Sequence, residues 1–173
     1  MEELSEQALQ QVLAVLAGAP MWGSGRAVNM EMFALGQKQT AIDRNGAEFF
    51  RGEYALHVKC AWHIVRRDRL VVASSDVYRP FDGDAAGSDD FDWEVPGSNR
   101  RDVLLKQLFD QASPVVRNVK PESTGRMVVA FEGDFELAVL PDRTGEDIEF
   151  WRFLKPGSDE PHLVFTAGGP EFQ

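Results

Sequence analysis

Gly52-Glu53-Tyr54-Ala55-Leu56-His57-Val58-Lys59-Cys60-Ala61-Trp62-His63-Ile64 is the stretch on which the fold turns. Tyr54, Leu56 and Val58 recur at every second residue with Ala55, His57 and Lys59 between them, the period of a strand with two unlike faces. The alternation bends near Ala61, so the stretch reads as one strand running into a second that carries Trp62. A degenerate echo stands near the C-terminus, as Gly133-Asp134-Phe135-Glu136-Leu137-Ala138-Val139 followed by Phe150-Trp151-Arg152-Phe153.

Two further pairs extend the echo. Gly25-Arg26-Ala27-Val28 resembles Gly125-Arg126-Met127-Val128, and Leu70-Val71-Val72 resembles Leu163-Val164-Phe165. The order is kept while the offsets vary, as insertions in loops would produce. The expectation is an α+β domain with a largely antiparallel sheet and two helices. A helix-then-strands unit would be used twice about a pseudo-twofold. The halves are 1–80 and 99–173, joined by an acidic loop over 81–98 within a single domain spanning 1–173. A groove between the halves is where a ligand is expected.

Outward from the core stretch, Leu9, Val12, Leu13 and Leu16 give Leu4–Leu16 a helical face, with Ser5 as N-cap and Gly18 and Pro20 as stop. Met21–Gly25 reads as a turn, Arg26–Leu35 as a strand, and the polar run Gln37–Ala47 as a loop turning at Asn45-Gly46. Asn99 caps a second helix whose apolar face is Leu104, Leu105, Leu108, Phe109 and Ala112. Arg126–Phe131 and Phe135–Leu140 form the clearest hairpin, across Glu132-Gly133-Asp134. The tail after Gly168 reads as frayed.

Charge narrows the function classes. The chain of 173 residues carries a net charge of −10 with a pI near 4.7, so it lacks the basic surface a nucleic-acid binder needs. The same charge repels anionic membranes and attracts a basic protein. No run of about 18 apolar residues is present, and Met1-Glu2-Glu3 offers no basic n-region, so neither a membrane span nor a signal peptide is expected. The one cysteine, Cys60, cannot form an internal disulfide and fits a reducing cytoplasm.

His57, Cys60 and His63 have an H-x2-C-x2-H spacing that invites zinc. On an extended strand the two histidines lie about 20 Å apart with Cys60 on the other face, so no metal is expected. Cys60 lacks an adjacent helix N-terminus to lower its pKa, and Ser74-Ser75-Asp76 lacks the glycine-flanked turn of a serine nucleophile. No catalytic residue and no cofactor is therefore assigned. Asp82, Asp84, Gly87 and Asp90 follow part of an EF-hand register, but Trp93 stands where the bidentate carboxylate belongs. The loop reads first as a solvated linker; as a site, Asp82, Asp84, Asp89, Asp90 and Asp92 with Phe91 and Trp93 form a surface for a basic partner, aromatic anchors set among acids. His57, His63 and Arg152 are the candidate ligand contacts, on the sheet face opposite the two tryptophans.

Tyr54-Ala55-Leu56-His57-Val58-Lys59-Cys60-Ala61-Trp62, continuing to Ser74-Ser75-Asp76-Val77-Tyr78, resembles a family of small bacterial proteins of unknown function that carry a Y-x-L-H-V-x-C-x-W block. Members commonly have arginine after the tryptophan, where this chain has His63, and the resemblance implies no activity. The leading expectation is a non-catalytic binding protein, in one form an immunity-type inhibitor of a basic partner. The alternative is a small-molecule binder or enzyme with a groove between the halves. An open sheet edge would allow a homo-oligomer, which nothing else in the sequence supports.

Overall fold

The computed structural model describes residues 4–82, 89–145 and 147–173. Strands β1 (Met21–Ala27), β2 (Met30–Ile42), β3 (Glu48–Val58), β4 (Ala61–Arg66) and β5 (Arg69–Ala73) follow helix α1 (Glu6–Leu13). Helix α2 (Arg100–Gln111) precedes β6 (Val116–Pro121), β7 (Met127–Phe131), β8 (Phe135–Leu140), β9 (Glu149–Leu154), β10 (Leu163–Thr166) and β11 (Gly169–Phe172). Two antiparallel sheets result. One runs β1-β2-β3-β9-β10-β11 and the other β5-β4-β8-β7-β6. The fold is α+β.

The opening stretch splits between the two sheets. Residues 52–58 lie in β3 of the six-stranded sheet, Lys59-Cys60 cross over, and Trp62 lies in β4 of the five-stranded sheet. Alternation explains the packing: Leu56, Val58, Trp62 and Ile64 all face one shared core. Phe33 of β2 meets Trp62 edge-on across the two sheets, with ring centroids 5.1 Å apart and planes at 81°. An edge-on ring pair of this kind adds about 0.5–1.5 kcal/mol beyond the area it buries.

The helices close the two sides of this core. Ser5 accepts from the Ala8 amide and Asn99 from the Asp102 amide, so both predicted caps are present. Helix α1 packs Leu9 and Leu13 into the core beside β6. Helix α2 lies over the first strand of one sheet and the last of the other, β1 and β5, and over the 3-10 turn Ser74–Tyr78.

The registers of the two sheets answer one another. Val58 stands opposite Trp151 and Leu56 opposite Phe153, while in the other sheet Val139 stands opposite Trp62 and Leu137 opposite Ile64. These pairings align β3 with β8 and β4 with β9 residue for residue. Glu31 pairs with Val58 as Met127 pairs with Val139, which makes β2 the counterpart of β7. Gly25 lies within β1 and Gly125 in the turn before β7, so the two glycines occupy different settings. Leu163 pairs with Phe153 as Val72 pairs with Ile64, so the last correspondence moves by two residues from Leu70.

Three expectations are corrected. Met21–Gly25 is the start of β1 rather than a turn, and the chain turns instead at Val28-Asn29. Gln37–Ile42 continues β2 because it pairs with Glu48–Gly52 in an arm beyond the sheet. With water on both faces of that arm, polar residues replace the alternation that marks a strand. The tail is not frayed: β11 pairs with β10, and the Gln173 and His162 backbones exchange hydrogen bonds of 3.0 and 2.8 Å.

Candidate ligand cleft at Glu31 and Arg101

Glu31 follows the alternation of β2. It shares the inward face with Phe33 and Leu35, which places a carboxyl where the pattern calls for an apolar side chain. It is 2% exposed. Arg101, the second residue of α2 and 1% exposed, brings Nε to 3.2 Å from its Oε2. The two meet as charges without hydrogen-bond alignment, and neither Oε2 nor Nε has a hydrogen-bond partner. The Arg101 Nη1 and Nη2 groups are spent elsewhere. They donate to the Asn29 carbonyl at 3.2 and 3.3 Å, and Nη1 also donates to Ser74 O at 3.1 Å. The guanidinium carbon lies 5.7 Å from the centre of the Trp62 ring.

Burial pushes the Glu31 carboxyl up from 4.5 to about 7, against the opposing pull of Arg101 and a hydrogen bond from Ser24. Burial likewise lowers Arg101, which Glu31 only partly offsets. Desolvation therefore outweighs the mutual attraction. The proton linkage has a definite sign. With the folded-state pKa above the unfolded one, the group's contribution is full below about pH 4.5 and is lost as pH rises through about 7. Relative to Glu31→Gln, the wild type is expected to lose about 3 kcal/mol of unfolding free energy across that window, read by urea denaturation at several pH values. A constant difference between the two proteins from pH 4 to 8 would contradict the assignment.

The other half of the chain supplies an internal comparison. At the position corresponding to Glu31 it has Met127, wholly buried, and Trp151 Nε1 donates to Gly125 O at 2.8 Å. In the first half the corresponding carbonyl, Asn29 O, is taken by Arg101, and the buried Trp62 Nε1 has no hydrogen-bond partner. The two registers therefore carry a carboxyl at one place and an apolar side chain at the other.

A cleft of about 640 Å³ opens at this carboxyl. Gly23, Ser24 and Gly25 of β1 form one wall, Leu105 and Phe109 of α2 the other, and Glu31 lies at its floor. Two side-chain-free residues let β1 serve as a wall without filling the space. The size falls in the small-molecule range. Glu94, Pro96 and Gly97 complete the rim. Arg26 holds that rim in place: Nη1 donates to Val28 O at 2.7 Å, Nη2 to Trp93 O at 2.8 Å, and Nε to Asp102 at 2.9 Å. Val28, also at the rim, has φ of +58°, a left-handed conformation that a β-branched residue rarely adopts. Bonds from Arg26 and Arg101 to the Val28 and Asn29 carbonyls hold it there.

The residues singled out from sequence are distributed as follows. His57 and Arg152 are cross-strand partners in the six-stranded sheet, while His63 lies in the other sheet opposite Ala138. The Arg152 fork is already engaged, with Nε and Nη2 on Glu149 at 3.0 and 3.1 Å and Nη1 3.1 Å from His162 Nδ1. Burial, then Arg152, lowers His57 below the usual imidazole value. Cys60 is buried and its thiol is pushed up to about 12 by that burial, so little thiolate exists at neutral pH. Among the described residues no group of three His, Cys, Asp or Glu side chains is placed to hold a metal ion.

In the acidic loop, Asp84 lies outside the described residues. Asp82, Asp89, Asp90 and Asp92 are exposed, and Phe91 is half-buried. Trp93 is packed inward, edge-on to Tyr78 at 5.0 Å, with Arg26 5.9 Å over its ring. Sequence reasoning missed Glu31 and Arg101. The signal was present as a glutamate at an inward position of a strand and an arginine one position before Asp102 on a capped helix.

Comparison with the models of known families, with curated proteins and with solved structures gives no match to this chain. The cleft is therefore interpreted from its own geometry. Among the described residues no helix is long and apolar enough to cross a membrane.

Proposed function

We propose that this chain is a non-catalytic binding protein that receives its ligand in the cleft between β1 and α2. The observation that carries the reading is the Glu31 carboxyl, buried at the cleft floor with an Oε2 that makes no hydrogen bond. A carboxyl kept there at a cost in stability, where the other half has methionine, fits a group retained for recognition. The cleft walls come from both sides of the 81–98 loop, as a groove between halves requires. An internal duplication is compatible with the reciprocal registers, and an immunity-type role toward a basic partner is compatible with the exposed acids beside the cleft. A cytoplasmic location fits the lone Cys60.

The test is a thermal-melting screen against chemically varied small molecules, followed by amide-shift mapping of any stabilising compound. A true ligand at a hundred times its Kd adds about 2.7 kcal/mol of stability. Shifts are expected at Gly23, Gly25, Leu105 and Phe109. Shifts centred on His57 and Arg152 would relocate the site and overturn the reading. A second reading, an enzyme using Glu31 as general base, is favoured by one observation, a carboxyl raised to about 7. Turnover abolished by Glu31→Gln with binding kept would replace the first reading with the second.

A further inference from the structure

Hydrogen-bonding capacity in the cleft is one-sided. Of the two cations in its lining, Arg26 donates to Asp102, Val28 O and Trp93 O, and Lys106 pairs with Asp110 on the next turn of α2. Arg101 lies behind Glu31 with 1% exposure and is not part of the wall. The acceptors are in surplus. Glu31 Oε2 has no hydrogen-bond donor, and the Glu94 carboxylate at the rim makes no ion pair among the described residues. A ligand rich in acceptors would find few donors among the described lining residues, since the Ser24 hydroxyl already bonds Glu31.

Resting on the proposed cleft, the geometry points to a ligand with a cationic N–H group on an apolar stem, the nitrogen at the Glu31 carboxyl and the stem against Leu105 and Phe109. Both an alkylamine or guanidine metabolite and the Lys or Arg side chain of a basic protein carry this chemistry. The exposed Glu94 at the rim raises the local concentration of either. Entry of the cation brings a second positive charge to a carboxyl that Arg101 already meets from behind. Glu31 must be ionised to hold it. The groups facing that carboxyl are Arg101 and Asp102 from α2 and Ser24 and Arg26 from β1, so its ionisation sets the pH dependence.

The test compares n-butylammonium, n-butylguanidinium, n-butanol and butyrate on the full chain, by amide-shift titration to concentrations on the order of 10 mM, where fragments of this size bind. The cations are expected to shift Gly23, Gly25, Leu105 and Phe109, and to bind at least about tenfold more tightly than butanol, a difference of about 1.4 kcal/mol. Binding of the cations should weaken about tenfold or more between pH 8 and pH 5, and Glu31→Gln should abolish the preference over butanol. The butanol comparison on wild type stands even if that variant folds poorly. Equal or tighter binding of butanol or butyrate at the same amides would overturn the ligand class and leave the cleft as a site. Absence of shifts there with all four probes would overturn both. A short lysine-bearing peptide separates the sources. Binding tighter than butylammonium supports a partner's side chain, and weaker binding supports a free small cation.

Discussion

Arg101→Leu is expected to cost about 3–5 kcal/mol, and the double variant Glu31→Met/Arg101→Leu to recover most of that loss. The single change removes the cation that ion-pairs with a carboxyl that is 2% exposed, and it strips donors from Asn29 O and Ser74 O. Protonation of Glu31 limits the damage, since the carboxyl already sits near 7 with Arg101 present and rises further without it. The loss should therefore be larger at pH 8 than at pH 5. The double change instead reproduces the arrangement around Met127, where an apolar side chain fills the equivalent core position. Urea unfolding of wild type, both singles and the double at pH 8 gives the coupling energy directly. A double variant as unstable as Arg101→Leu would mean that the pair is needed for folding. A double at or above wild-type stability that no longer binds butylammonium would separate the pair's role in recognition from any role in stability.

The core of the fold was legible because its signals are periodic. Leu56, Val58, Trp62 and Ile64 announce their faces by alternation, and Ser5 and Asn99 announce helix starts by side-chain chemistry at fixed offsets. Strands in water on both faces carry no such signal, which is why Gln37–Ile42 was read as loop. Nor does the two-residue turn at Val28-Asn29 carry one, because valine with positive φ is a tertiary product. Arg26 and Arg101 hold it open from elsewhere in the chain. The cleft was illegible for a related reason. Its floor combines residues 31 and 101, and charge pairs over that separation leave no local trace. The motif that was visible, His57 through His63, spans the crossing between sheets, so its histidines end in different sheets.

Gly52, the first residue of the stretch that organises the chain, is the position where the smallest change should do the most harm. A bulge puts Gly36 and Gln37 of β2 opposite Glu53 alone, because Leu35 pairs with Tyr54 and Lys38 with Gly52. The backbone closes in on Gly52 at that point. A Cβ there would stand 2.5 Å from Tyr54 O, 2.7 Å from Leu35 O and 2.8 Å from Leu35 N. All three obstacles are main chain, so no rotamer change relieves them. Overpacked cores lose about 1–3 kcal/mol when side chains can yield, so Gly52→Ala is expected to cost about 3 kcal/mol or more. For a domain of this size that is a fall in Tm of about 6–12 °C. Gly46→Ala is the control, since its φ of +81° strains an alanine by about 1–2 kcal/mol while its Cβ meets nothing within 4 Å. The consequence reaches the cleft. A strand shifted by one residue turns every side chain to the opposite face, and β2 carries Glu31 inward only in this register. Gly52→Ala should then weaken butylammonium binding although it touches no cleft residue. Full stability and unchanged binding in that variant would show that the bulge does not hold the register that brings Glu31 under α2.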